Sequence, residues 1–136
     1  MSVALPLEDR LAIHDLLNLY GHVIDERQFS RFGELFAEDA VFDLSGFDGS
    51  RFEGLEAISQ MMHDSENHPL AHHATNILVM EEGGEVRALS KGIGVGNGGR
   101  VGSVTYRDVL VRTEDGWRIR ERSCELRQAD RIPPLS

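Results

Sequence analysis

A single cysteine, Cys124, stands in the 136 residues, so no intrachain disulfide can brace the chain. Basic residues are scarce as well: 14 Lys and Arg against 23 Asp and Glu leave a formal net charge of −9. A surface of that sign does not attract phosphate backbones or anionic headgroups, so neither nucleic acid nor a membrane is an expected partner. No run approaches the roughly 20 apolar residues of a membrane span. The opening "MSVALPLEDR" lacks a basic leader followed by an apolar core, so a cytoplasmic location is expected. Internal repeats and low-complexity blocks are missing too, and only the tail "RIPPLS" reads as disordered.

What is present is ordinary globular composition, 40% hydrophobic and 27% charged. A chain of this size buries roughly two-thirds of its unfolded surface, enough for a real core. One domain over residues 1–136 is expected.

Residues 7–27 follow Pro6 and carry apolar side chains at Ile13, Leu16, Leu17, Tyr20, Val23 and Ile24, a helical stripe. "FSRFGELF", residues 29–36, reads as a second short helix with Ser30 as N-cap. Residues 40–46 alternate like a strand, and 55–64 have helical spacing again. Beyond residue 70 the turns "EEGGE", "GNGGR" and "EDG" separate four strands, about 70–80, 85–95, 100–113 and 117–127. Helices first and a meander afterwards give the α+β class. The expected form is a cone-shaped α+β barrel, with N-terminal helices on a curved, mostly antiparallel sheet and an open mouth for a ligand.

A long helix ending in Y-x-x-x-x-D, then "LFAEDAVF", a G-x-x-x-I helix, H-x-x-T-N, and Y-x-D-x-L-V-R-T-x-D-G-W-R-I together resemble the SnoaL-like group of the nuclear-transport-factor-2-like superfamily. The resemblance runs from Leu7 to about Arg127. "LFAEDA" and "DGWRI" carry the fold. The chain looks most like the branch of scytalone dehydratase, lindane dehydrochlorinase and bile-acid dehydratase, which are lyases without metal or organic cofactor. By motif position, the resemblance makes Asp25 the family aspartate, His72 the family histidine, Tyr20 the helix tyrosine and Arg122 a pocket arginine. It further implies a small, mostly apolar or cyclic molecule in the cone, and pairing through the exposed sheet face as a homodimer or homotrimer. Scytalone dehydratase also has a second histidine and a second tyrosine in its pocket, and the sequence does not place these.

The chemistry needs a neutral imidazole as base and a carboxylate to orient it. His72 takes the first role and Asp25 the second. Tyr20 donates a hydrogen bond to a carbonyl or leaving group, and Arg122 stabilises developing negative charge. Against this, Asp25 falls off the apolar stripe of its helix, so it faces the cavity only from the helix end or through a bend near Gly21. His72 and His73 point to opposite faces of a strand, and parity does not choose between them. Arg122 shares parity with Arg118 and Arg120, which read as solvated, and with Cys124 and Leu126, which read as buried.

Tyr106 and Asp108 read as scaffold, Cys124 as a small buried hydrophobe, His14 as exposed and His22 as a surface neighbour. His63, His68, His72 and His73 match no zinc spacing, so no metal is expected. The glycines of "KGIGVGNGGR" read as a hairpin. The leading expectation is a cofactor-independent lyase or isomerase acting by proton abstraction, with elimination or a double-bond shift. The alternatives are a non-catalytic small-molecule or protein binder on the same fold, and a polyketide-cyclase-like enzyme.

Overall fold

A computed structural model describes residues 5–135. Residues 1–4 of the opening segment and Ser136 of the tail lie outside the described residues. The first helix, α1 (Leu7–Asp25), buries Ile13, Leu16, Leu17, Tyr20, Val23 and Ile24, the stripe read from the sequence. It ends two residues short of the expected 27. Gln28 N–H donates to the Val23 carbonyl and Arg27 N–H to the Ile24 carbonyl. Arg27 has φ of 54°. This is the paired 6→1 and 5→2 closure that stops a helix, with arginine in the left-handed position usually held by glycine.

The expected helix over 29–36 is instead a 3₁₀ turn, Phe29–Glu34. Gln28 takes the cap position and no side chain caps the turn, so Ser30 is not an N-cap. Phe36 already belongs to β1 (Phe36–Leu44), which starts four residues before the expected 40. β2 (Ser50–Glu53) returns beside it. α2 (Leu55–Asp64) matches expectation. The meander follows as β3 (Ala71–Glu82), β4 (Glu85–Val95), β5 (Val101–Thr113) and β6 (Gly116–Leu126).

The six strands form one sheet in the order β2-β1-β6-β5-β4-β3. All neighbours are antiparallel except β1 and β6, which are parallel. The class is α+β, and the helices cover one face of the curved sheet. Trp117 Nε1 donates to Asp9 Oδ1 and Arg10 Nη1 to the Val79 carbonyl, so α1 is tied to β6 and to β3.

Two bulges set which side chains face inward. On β6 the register with β5 shifts between the Val109–Glu121 and Leu110–Ile119 pairs. Arg120 sits in the bulge and is exposed, while Ile119 and Arg122 are both buried. A simple alternation over 118–126 therefore does not apply. On β3, Thr75 faces Lys91 and Leu78 faces Leu89, so Asn76 and Ile77 together oppose Ser90. Asn76 has φ of 55°, a left-handed conformation that asparagine tolerates. Bulges of this kind re-aim side chains and recur beside functional sites.

Candidate functional site

Asp25 is the last residue of α1, where the dipole disfavours a carboxylate. What offsets this lies across on β3, the edge strand. The backbone N–H of His72 is 2.9 and 3.1 Å from the two oxygens of Asp25. Its ring Nδ1 is 2.6 Å from Asp25 Oδ1. One carboxylate thus satisfies a free edge N–H and grips the ring. Both side chains are largely buried, 16% and 19% exposed. With the carboxylate accepting from Nδ1–H, the neutral ring keeps its lone pair on Nε2.

The close approach depends on Gly21. A Cβ there would sit 2.7 Å from the His72 carbonyl oxygen, so only glycine lets α1 settle against β3. Asp25 leaves the apolar stripe and, as the last residue of α1, turns to β3 from the helix end. His72 pairs with Gly94 and faces inward, while His73 pairs with Ile93 and is exposed.

His68 stands beside the pair. Its ring makes an edge contact with His72, centroids 5.9 Å apart, and its Nε2 meets the Met62 carbonyl at 3.0 Å. That carbonyl accepts the Nε2 hydrogen. Burial, opposed by the Met62 contact, holds the His68 pKa below the ordinary histidine value, so the ring is neutral near pH 7. Nothing in its spacing singled it out. The Pro69 that follows is the one available signal, since it marks a bend where the chain folds over the site. A Cβ on Gly94 would meet Pro69 at 2.8 Å. Of the four histidines weighed as metal ligands, His68 and His72 stand together, while His63 pairs in solvent with Asp64 and His73 is exposed.

Tyr20 and Arg122 form a second group. Arg122 is 1% exposed and donates from Nε and Nη2 to the two oxygens of Asp108, at 2.7 and 3.1 Å. Its guanidinium carbon lies 4.3 Å from the Tyr20 ring centroid and 3.9 Å from that of Tyr106. The contact with Tyr20 is with the ring face, a cation–π arrangement. Burial works against the charge of Arg122, yet Asp108 holds its pKa above the usual range. Burial also raises the Tyr20 phenol well above its ordinary value and pushes Tyr106 up to about 12, so both are neutral donors. Burial likewise pushes the Cys124 thiol up to about 12.

Tyr106 and Asp108 therefore do more than shape the scaffold: they hold Arg122. Tyr106 also lies over Gly92, where a Cβ would collide with its ring. His22 is exposed, as expected, whereas His14 is half-buried, since on the helix it borders the buried Ile13 and Leu17.

The inner face thus joins Asp25, His72 and His68 at one end and Tyr20, Tyr106, Arg122 and Asp108 further along. Among the described residues, a groove of about 430 Å³ on the outer face of the sheet reaches Asp108 and Arg122, and one of about 590 Å³ lies beside α2. Neither is lined by His72 or Asp25.

Residues 6–123 match the SnoaL-like domain. An uncharacterised protein of Mycobacterium tuberculosis is 34% identical over 129 residues, which cover 88% of this chain and 85% of that protein. A solved structure from Novosphingobium aromaticivorans, provisionally named an aromatic ring hydroxylase, is 34% identical. It covers 98% of this chain and 95% of its own, with a TM-score of 0.72. The structure of LinA is 21% identical, covers 90% of this chain and 88% of its own, and has a TM-score of 0.78, a likeness of fold alone.

Proposed function

This chain belongs to the SnoaL-like domain family, and from that premise we propose that it is a lyase acting on a small, mostly apolar, cyclic molecule by proton abstraction from carbon. The observation that carries the reading is the 2.6 Å contact between His72 Nδ1 and Asp25 Oδ1. In the proposed reaction Nε2 of His72 removes the proton. Asp25 holds the ring in the required tautomer and stabilises the imidazolium that forms. The C–H electron pair becomes a double bond as a group leaves from the neighbouring carbon.

Tyr20 and Arg122 are proposed to stabilise the negative charge that develops on the substrate. Arg122 acts as a hydrogen-bond donor whose charge is already balanced by Asp108, and the contribution of such oriented donors is large in a dry site. His68 and Tyr106 are proposed as a second histidine and a second tyrosine of the site, on their contacts with His72 and with Tyr20 and Arg122. As its bond to carbon breaks, the departing group takes the proton back from Nε2 of the His72 imidazolium, while His68, held neutral with its Nε2 hydrogen on the Met62 carbonyl, packs beside His72. No cofactor enters this scheme, and every proton is moved by a side chain.

The test is the tautomer of His72. Ring nitrogen chemical shifts, read by two-dimensional NMR, are expected to show Nδ1–H in the wild type and a mixture of tautomers in Asp25→Asn. A screen of cyclic alcohols, ketones and halides for loss of water or acid should then give turnover abolished by His72→Gln. A wild-type ring protonated on Nε2 would leave His72 without a free lone pair toward the cone and would end the proposal.

A further inference from the structure

The connection between β4 and β5 reads "GNGGR", residues 96–100. Of the asparagines in the chain, Asn97 alone is followed by glycine. Asn18 lies inside α1 before Leu19, Asn76 lies inside β3 before Ile77, and Asn67 precedes His68. An asparagine amide is open to attack by the backbone nitrogen of the next residue, which closes a five-membered ring. A side chain on that next residue crowds the approach, and a regular helix or strand holds the nitrogen away. Glycine removes the crowding and frees the backbone to turn.

The fold leaves the nitrogen free as well. Asn97–Gly99 is a short 3₁₀ turn, and all three of its residues are exposed. Gly98 has φ of 76°, and nothing stands within 4 Å of the Cβ position at Gly98 or Gly99. The loop is closed by the Gly96 N–H on the Arg100 carbonyl and by the Gly99 N–H on the Gly96 carbonyl. Neither closure uses the Gly98 N–H or the Asn97 side chain, and neither of these groups has a hydrogen-bond partner among the described residues.

We propose that Asn97 is a site of self-modification, at which the chain converts its own side-chain amide to an acid. The Gly98 nitrogen gives up its proton and bonds to Asn97 Cγ. The bond from Cγ to the side-chain nitrogen breaks, and that nitrogen leaves with the proton as ammonia. Water then opens the cyclic imide. Attack at Cγ restores the original main chain and leaves an aspartate. Attack at the backbone carbonyl carbon leaves an isoaspartate, with the main chain running through Cβ and Cγ. Water is the one co-reactant, and no electron is gained or lost. Each event adds a negative charge to the −9 of the chain. The isoaspartate branch also lengthens the connection just beyond Gly94, the partner of His72. The proposal stands independently of the proton-abstraction reading.

Mass spectrometry of tryptic peptides tests this, after the folded chain is held in a mildly alkaline buffer that favours loss of the amide proton. Cleavage after Lys91 and Arg100 releases residues 92–100, in which Asn97 is the sole amide side chain and no acid is present. Two new peptides of equal mass are expected, each heavier by the exchange of NH2 for OH, and one should co-elute with the peptide from Asn97→Asp. Peptides 11–27 and 52–87, which hold the other asparagines, should change more slowly by an order of magnitude or more. Asn97→Gln should leave residues 92–100 unchanged, because its longer side chain would have to close a six-membered ring. The synthetic peptide 92–100 serves as the unrestrained reference, and the folded chain is expected to react within an order of magnitude of it. A folded chain slower than that, or residues 92–100 changing no faster than peptide 52–87, would overturn the site. A single product that co-elutes with the Asn97→Asp peptide would mean direct hydrolysis and would sink the cyclic step.

Discussion

His68 has one backbone carbonyl to bond and otherwise faces groups that disagree about its charge. Burial, the His72 ring and Arg27 disfavour its protonation, while the Met62 carbonyl and Asp25 favour it, and the balance lowers its pKa below 6.5. A histidine with a depressed folded-state pKa binds fewer protons than it does unfolded. Its contribution is therefore complete above about pH 6.5 and is lost as pH falls through the folded value. Thermal denaturation between pH 7.5 and 5.5 should show a falling midpoint for the wild type and a flatter profile for His68→Gln. An equal slope in both would show that His68 is not the group responsible. At this scale motif position anticipated the contact of Asp25 with His72, while Tyr20 and Arg122, named by the same motifs, meet each other in a separate group. The sequence was silent on His68, because a lone histidine in an irregular segment has no period to place it.

Helix α1 and strand β3 meet at Gly21 and the His72 carbonyl. In an exposed helix interior, replacing glycine by alanine stabilises by about 1 kcal/mol. Here the added Cβ would stand 2.7 Å from a backbone oxygen, so the helix must withdraw from the strand. Gly21→Ala is expected to destabilise by about 1–3 kcal/mol, the usual cost of overpacking, and to lengthen the Asp25–His72 contact. Urea denaturation gives the first quantity, and the His72 ring resonances report the second. A more stable variant would mean that the helix stands off the strand in solution. The element boundaries show how far periodicity reaches. The stripe of α1 and the turns of the meander are long-range patterns and were legible. The stop at Asp25 was not, since Arg27 takes a conformation for which glycine is the usual signal. The 3₁₀ turn at Phe29–Glu34 was read as a helix because its phenylalanines and Leu35 share one side in either geometry. The six residues before the early start of β1 make less than two α-turns, and 3₁₀ geometry is used in such short pieces. The parity of Arg122 could not be read because a bulge at Arg120 cannot be foreseen from alternation.

Across the whole molecule, one face of the sheet is spent on the helices and the other is open. Its groove presents Val41, Met80, Leu89 and Val109 between charged residues of both signs, among them Arg87, Arg107 and Glu121. Leu78 nearby is 60% exposed. An apolar centre with a mixed-charge rim is the pattern of a protein interface. Light scattering coupled to size-exclusion chromatography is expected to give two or three times the chain mass of 15.2 kDa, and Leu89→Glu should return it to the monomer. A wild-type peak at 15.2 kDa would refute the pairing. No helix among the described residues is long and apolar enough to cross a membrane. The bulge at Asn76 has a different bearing. It divides β3 into two segments whose phases are uncoupled. The segment with His72 is indexed by Asp25 and Gly94, and the segment beyond it by the hairpin at Gly83 and Gly84, where nothing lies within 4 Å of either glycine's Cβ position. That hairpin is a place where foreign sequence can be spliced in: a fluorophore tag or affinity peptide carried there would leave the alignment of the histidine undisturbed.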